Sequence, residues 1–186
     1  GSDSGGGAGI QADIKTTSYF NGYAMTAITA ITAQNTIGVQ SIYPLPKEIV
    51  MEQINSITTD LSPDIVKIGM LADLDIIEYI SKKISNYKIV LDPVMVATSG
   101  DVLVSDEVVS SIKNNLINKS FLITPNIYEA EILSENKINC LEDQIEAGKN
   151  LLKLGCKHVL VKGGHGNSDI INDVLITSSG LSLIHI

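Results

Sequence analysis

The stretch IVKIGMLADLDIIEYISKKISNYKIVLDP, residues 65–93, decides the fold class. Its first four residues, Ile65 to Ile68, form a short apolar run that reads as a buried strand. Asp73 to Ser85 reads as a helix, because Ile77, Ile80 and Ile84 fall on one face at helical spacing. Asp73 stands where a side chain caps the first turn. Lys88 to Leu91 is a second apolar run, stopped at Asp92-Pro93. Strand, helix and strand in this order make a βαβ unit, whose strands run parallel.

The alternation continues on both sides. Upstream, Ser2 to Gly9 is a glycine-rich loop, Ile10 to Phe20 a helix stopped by Asn21-Gly22, and Tyr23 to Gln34 mainly strand. Val39 to Tyr43 is a short strand ending before Pro44. Lys47 to Asp60 is a helix with Val50, Ile54, Ile57 and Leu61 on one face. Downstream, Ser105 to Asn115 is a helix with Ser105 as its cap and Asp106-Glu107 at the positive end of its dipole. Phe121 to Ile123 is a strand, Ile127 to Ser134 and Glu142 to Leu154 are helices, and His158 to Val161 is a strand. Asp173 to Ile176 has the character of one more. The pattern predicts a three-layer α/β/α domain with a mostly parallel central sheet.

Composition narrows the function classes. The chain has 186 residues, 44% hydrophobic and 18% charged, enough for a core without disulfides or metal. No apolar run is long enough to span a membrane, and no signal peptide opens the chain. The net charge of 13 − 21 = −8 argues against a nucleic-acid partner. Cys140 and Cys156 cannot build a disulfide framework, so reduced thiols and a cytoplasmic location are expected. The residues leave the oligomeric state open, a homodimer included.

Ligands in such sheets bind beyond the carboxyl ends of the strands. Gly5-Gly6-Gly7-Ala8-Gly9 precedes a helix, where backbone N–H groups can approach a ligand and polar or anionic groups are favoured; Asp13 lies one turn in. An expression linker is a competing reading of Gly1-Ser2 and the glycines. Gly7, Gly9 and Ala12 match the dinucleotide pattern, yet no Asp or Glu lies between Asp13 and Glu48 to bind a ribose. No Gly-Lys-Ser/Thr phosphate loop occurs. Gln34-Asn35-Thr36 could pair with a heteroaromatic ring, or simply cap a loop. Asp92 at a strand tip suits Mg²⁺ or a substrate hydroxyl, and equally a turn. Asn126 and Glu129 can form a capping box, or hold Mg²⁺ through a water beside nucleotide phosphates. Lys162, next to Gly163-Gly164, suits a phosphate, whereas His165 reads as a loop histidine. No His/Cys spacing suggests zinc.

Together these segments resemble the hydroxymethylpyrimidine and phosphomethylpyrimidine kinases of thiamine synthesis, members of the ribokinase-like superfamily. The resemblance rests on Gly1 to Lys15, Met25 to Ala30, Ala33-Gln34-Asn35-Thr36 with Gly38-Val39, and Lys67 to Leu71. It continues through Asp92 to Ala97 with Ser99-Gly100, Thr124-Pro125-Asn126 with Glu129-Ala130-Glu131, and Val161 to His165. It implies a small-molecule pyrimidine substrate lined by Gly1, Ala8, Asp13, Thr32, Gln34, Met70 and Val94. In that pocket Gln34 would read the amino and ring-nitrogen edge, while Met70 and Val94 pack on the ring. It further implies ATP and Mg²⁺ as cofactors, with Asn126 and Lys162 near the nucleotide and Glu129 and Asp92 at the metal.

The chain departs from that family in two respects. The late Gly-Thr-Gly-Cys-type segment, which forms the anion hole and carries the catalytic residue, has no counterpart here, and Cys156 does not inherit its role. The strand that would precede Gly1 is also missing. Residues 1–176 are therefore expected to be a partial kinase domain, 177–186 an unmatched tail, and the chain alone an inactive fragment. A pyridoxal kinase of the same superfamily and a non-catalytic pyrimidine-binding module are the alternatives. Gln34, Met70 and Met95-Val96-Ala97 set the first of these apart.

Overall fold

The computed structural model describes residues 1–95, 104–164 and 171–185. Its elements in chain order are α1 (Gly9–Tyr19), β1 (Ala30–Gln34), β2 (Val39–Pro44), α2 (Lys47–Asp60), β3 (Ile65–Ile68), α3 (Leu74–Lys83) and β4 (Lys88–Leu91). Then come α4 (Asp106–Asn115), β5 (Leu122–Ile123), α5 (Ile127–Ser134), α6 (Leu141–Leu152), β6 (His158–Val161), β7 (Asn172–Thr177) and β8 (Gly180–His185). Val96-Ala97, Ser99-Gly100 and His165 lie outside the described residues.

Six strands form the central sheet in the order β3-β4-β5-β6-β7-β8. The first four are parallel, with Ile68 opposite Leu91, Leu91 opposite Ile123 and Ile123 opposite Val159. β7 and β8 are antiparallel additions. Neighbouring parallel strands that follow chain order, joined by right-handed crossovers, put α3, α4 and the α5–α6 pair on one face. That face holds the core: Ile68, Ile89, Leu91, Ile123, Val159 and Val161 meet Ile77, Ile80, Ile112, Leu133 and Leu151, all buried. The alternation of the strands turns Lys67 to the opposite face, where it pairs with Asp13 of α1. α1 thus belongs to the third layer, and it buries no residue of its own.

The expected βαβ unit is present. Asp73 caps α3 by accepting the Ile76 N–H at 2.9 Å, and Ile77, Ile80 and Ile84 are buried. Asp73→Ala is expected to cost about 1 kcal/mol, read as a lower urea midpoint at unchanged slope. An unchanged midpoint would show that the cap contributes nothing.

Several expectations need correction. Within Tyr23–Gln34 only the last five residues are strand, and they pair antiparallel with β2 in a separate two-stranded sheet. The preceding backbone is satisfied by side chains instead of a ladder: Gln53 bonds both the N–H and the carbonyl of Ile28, at 2.9 and 3.1 Å. Among the described residues only β4 pairs with β3, which leaves β3 at the edge of the sheet and its Ile65 57% exposed. Leu61 falls at the end of α2 and is exposed. Ser105 occupies the cap position of α4 without a capping bond. Its hydroxyl instead helps hold the Glu107 carboxyl below the usual range. The segment expected to be an unmatched tail is β8, in register with β7 from Thr177–Gly180 to Asn172–His185. No helix among the described residues is long and apolar enough to cross a membrane.

Candidate active site

Because β3, β4, β5 and β6 run parallel, their carboxyl ends share one edge of the sheet. Met70, Asp92, Asn126 and Lys162 follow these ends in that order. Asp92 Oδ1 accepts from Thr124 Oγ1 at 3.1 Å and from Lys162 Nζ at 2.9 Å, so one oxygen ties the tips of β4, β5 and β6. Both bonds fall on Oδ1, and Oδ2 has no protein donor among the described residues. The backbone sets the place of Lys162: its N–H donates to Pro125 O at 2.8 Å, and it bridges Asn126 in parallel.

Glu129 lies one turn into α5 and is 2% exposed. The expected capping box forms. Asn126 Oδ1 accepts the Glu129 N–H at 2.9 Å, and Glu129 Oε2 accepts the Asn126 N–H at 2.9 Å. Glu129 Oε1 receives the Met95 N–H at 3.3 Å from the end of the β4 loop. Burial pushes the Glu129 carboxyl above its ordinary proton affinity. The N–H groups of Asn126 and Met95 and the Lys162 charge oppose the shift, and the Asp92 charge adds to it. Asp92, Glu129 and Lys162 therefore form one electrostatic group.

The described residues contain no cluster of three or more His, Cys, Asp or Glu placed to hold a metal. Two carboxylates are nevertheless a sufficient protein share for Mg²⁺, which keeps waters and takes the rest of its shell from phosphates. Asp92 Oδ2 fits that role directly. Glu129 fits it through water, since both its oxygens already accept backbone N–H groups.

The second cluster lies around the glycine loop. Here the structure revises the expectation of N–H groups open to a ligand. Asp3, 4% exposed, fills them: Oδ1 accepts from Gly5 at 2.8 Å, and Oδ2 accepts from Gly7 at 2.9 Å and Ala8 at 2.8 Å. Desolvation would raise the Asp3 carboxyl, but the backbone donors of Ala8, Gly5, Gly7 and Gly6 hold it below the usual range. Gly6 and Gly9 adopt φ of 75° and 55°, and a Cβ on Gly9 would stand 2.7 Å from Gly1 O. Ser2 and Ser4 tie this loop to β1. Thr32 Oγ1 donates to Ser2 O at 2.8 Å and the Thr32 N–H to Ser2 Oγ at 3.2 Å. Ser4 Oγ donates to Gln34 O at 2.7 Å and accepts the Gln34 N–H at 2.8 Å. Gln34 Oε1 lies 3.3 Å from Thr32 Oγ1.

Gly1, Ala8, Thr32 and Gln34 are thus gathered around one loop. Asp13 is tied to β3 by the 2.6 Å ion pair with Lys67. Met70, whose carbonyl accepts from Thr29 Oγ1 at 3.0 Å, joins the second cluster through the segment leading into β1. Val94 follows Asp92 at the end of β4, its N–H bonded to Asp92 O. Asp92, Asn126, Glu129 and Lys162 form the first cluster. No hydrogen bond or ion pair among the described residues joins the two. The roles of Asp3, Ser4 and Lys67 were missed in the sequence. A signal for Asp3 was available, since an Asp followed by glycines can bond backbone two residues on. Two open surface concavities, one beside α6 and the β7–β8 turn and one between α3 and α4, include none of these residues. Burial pushes the Cys156 thiol up to about 11, which removes it as a nucleophile.

Known proteins share this fold. The phosphomethylpyrimidine kinase family model matches residues 3–185, including the segment expected to stand outside the domain. The chain is 48% identical over 183 residues to the hydroxymethylpyrimidine/phosphomethylpyrimidine kinase of Bacillus subtilis strain 168, a match covering 96% of this chain and 68% of that protein. A crystal structure of phosphomethylpyrimidine kinase from Clostridium difficile 630 aligns with a TM-score of 0.90 and 42% identity, over 98% of this chain and 80% of that one. The pyridoxal kinase of Staphylococcus aureus in complex with AMP-PCP aligns with a TM-score of 0.90 and 31% identity, over 100% of this chain and 69% of that one.

Proposed function

The chain belongs to the phosphomethylpyrimidine kinase family, and from that premise we propose that it serves ATP-dependent phosphorylation of 4-amino-5-hydroxymethyl-2-methylpyrimidine, of its monophosphate, or of both. The observation that carries the reading is the order of residues along one sheet edge: Met70 after β3, Asp92 after β4, Asn126 and Glu129 after β5, Lys162 after β6. The glycine loop and β1 take the pyrimidine, and the ends of β4, β5 and β6 take the nucleotide.

Phosphoryl transfer asks the protein for positioning and charge neutralisation more than for covalent chemistry. Lys162 supplies a cation for the phosphates, and its pairing with Asp92 keeps it in place before they arrive. Asp92 and Glu129 would hold Mg²⁺, which, when bound, neutralises phosphate charge. Asn126 places the nucleotide side through the start of α5. Gln34 reads the amino and ring-nitrogen edge of the pyrimidine, Met70 and Val94 pack on the ring, and Gly1, Ala8, Asp13 and Thr32 complete the wall. A net charge of −8 gives no global attraction for ATP, so these local groups must supply it. The unpaired thiols of Cys140 and Cys156 suit a cytoplasmic location.

The pyridoxal kinase alignment keeps a second substrate in view, since the fold alone does not separate the two. The test is calorimetric binding of the aminopyrimidine and of pyridoxal in the presence of Mg²⁺-ATP, compared side by side; turnover is not the readout, because the Gly-Thr-Gly-Cys-type segment has no counterpart in this chain. The expected result is a preference for the aminopyrimidine. Gln34→Ala should weaken aminopyrimidine binding about 10-fold or more, because a buried edge left unpaired costs about 1–3 kcal/mol. A preference for pyridoxal, untouched by Gln34→Ala, would overturn the reading.

A further inference from the structure

We propose that Ser2-Asp3-Ser4 is a clasp that sets the geometry of the pyrimidine half, with Asp3 and Ser4 as positioning residues for the recognition edge carried by Gln34. The proposal rests on the pyrimidine-kinase reading and assigns to these residues a part in its specificity.

Three consecutive side chains do three separate jobs. Ser2 bonds Thr32 with both its hydroxyl and its carbonyl. Ser4 takes both backbone groups of Gln34, donating to its carbonyl and accepting its N–H. Between them, Asp3 turns the other way and collects the N–H groups of Gly5, Gly7 and Ala8, while its own N–H donates to Gln11 Oε1 of α1 at 2.8 Å. One tripeptide therefore joins β1, the glycine loop and the first turn of α1. These are the three walls that carry Gln34, Ala8 and Asp13.

The chemistry of the clasp also sorts the two halves of the site. A nest of loop N–H groups ordinarily attracts an external anion. Here an internal carboxylate occupies it, both oxygens are engaged, and its charge stands against a phosphate at the same place. The loop is thus suited to a neutral aromatic ring. The cations of this half are engaged within it, Lys15 Nζ with Gly6 O at 2.7 Å and Lys67 with Asp13 at 2.6 Å, and phosphate binding is left to the Lys162 side. Ser4 acts on Gln34 through the backbone. Without the hydroxyl, the last residue of β1 loses two bonds next to the irregular register between Ala33 and Gln34, and the side chain loses its fixed origin.

The test measures calorimetric binding of 4-amino-5-hydroxymethyl-2-methylpyrimidine and of its 4-oxo analogue to the unaltered chain, Ser4→Ala, Ser4→Thr and Asp3→Asn. Amide exchange is followed in each. A purely structural loss would weaken both ligands equally, whereas a positioning loss compresses their ratio. Ser4→Ala is expected to compress the amino-over-oxo preference about 10-fold, and Ser4→Thr to retain it, because the two hydrogen bonds that anchor the Gln34 backbone are lost in the first and restored in the second. Asp3→Asn places an NH₂ group against N–H donors. It should speed exchange at Gly5, Gly7 and Ala8 about 10-fold or more, while the Ile89 and Val159 amides stay protected and certify the core. An unchanged preference in Ser4→Ala would overturn the proposal, whether or not Gln34 exchange changes. If the unaltered chain binds neither pyrimidine, the substrate reading falls and this role falls with it. Preference compressed in Ser4→Ala, kept in Ser4→Thr and present in the unaltered chain supports both.

Discussion

Gly163→Ala is expected to destabilise the fold by about 2–4 kcal/mol, the largest effect of any single added methyl among the described glycines for which the contact is with backbone. A Cβ at this position would stand 2.2 Å from Asn172 O, 2.9 Å from its carbonyl carbon and 3.1 Å from its nitrogen. These atoms open β7 and cannot swing aside as a side-chain tip would. The neighbourhood is already fixed. Buried Gln144 donates from one Nε2 to Val161 O and Asn172 O, each at 3.0 Å, and the Gly163 N–H donates to Asp173 Oδ1 at 2.8 Å. To admit the methyl, β6 and β7 must part, and these three bonds weaken together. Lys162 is the adjacent residue, so its ion pair with Asp92 shifts as well. The expected readings are a lower urea midpoint and weaker ATP binding. Gly164→Ala is the control. Among the described residues no atom beyond its chain neighbours lies within 4 Å of its Cβ, so its stability should stay within about 0.5 kcal/mol of the parent. Equal losses in the two variants would show that the close approach to Asn172 does not set the constraint.

What could be read from the sequence follows from the range of the interactions involved. β4, β6, α2 and α5 were legible to their residue bounds, and α3 nearly so, because periodicity, an Asp cap and an Asn–Glu capping box all act within a few residues. The order of chemistry along the strand ends was legible once the strands were known to be parallel. Contacts of long sequence separation were not. Ser4 and Gln34 are thirty residues apart, and no local pattern announces that a hydroxyl will take both backbone groups of a distant strand. The apolar stretch from Tyr23 looked like one strand because apolar content does not reveal which carbonyls will meet a ladder and which a Gln53 amide. β3 was legible to its bounds, Ile65–Ile68, but read as buried because its residues are apolar, and burial depends on neighbours that pattern does not count. β8 is different in kind. Thr177-Ser178-Ser179-Gly180 is a short turn between two alternating segments, with Gly180 at φ 156°, and hairpin chemistry at that point was available to be read. The site divides along the same line. Asp92, Asn126, Glu129 and Lys162 stand out as polar residues where strands end, whereas Asp3 acts as a buried anion only after the glycine loop has wrapped around it.

Replacing Glu129 should have the largest combined effect on stability and on the nucleotide side. Glu129→Ala leaves the N–H groups of Met95 and Asn126 without their acceptor and removes one arm of the capping box. A buried donor left unpaired costs about 1–3 kcal/mol, so a loss of about 2–4 kcal/mol is expected. Glu129→Gln keeps the shape and one acceptor oxygen but sets an NH₂ against the other donor, and it should fall between the parent and the alanine variant. The pH dependence isolates the charge. Because burial raises the carboxyl above its ordinary value of 4.5, the unfolded chain releases its proton first as pH climbs, while the folded chain still holds it. In that window the folded state binds more protons, so this group's contribution to stability falls with rising pH, from about 4.5 up through the folded value, and then levels. Glutamine has no such step. The stability difference between the parent and Glu129→Gln, taken from urea unfolding at each pH, should therefore shrink as pH rises through that window, and titrations common to both cancel. Mg²⁺-ATP binding should move oppositely. The ionised carboxylate is the form that can hold water against the metal, so affinity in the parent rises over the same window and stays flat in the variant. Parallel stability curves would show that Glu129 titrates at its ordinary value. A variant that binds Mg²⁺-ATP as well as the parent, with the same pH profile, would confine Glu129 to its cap.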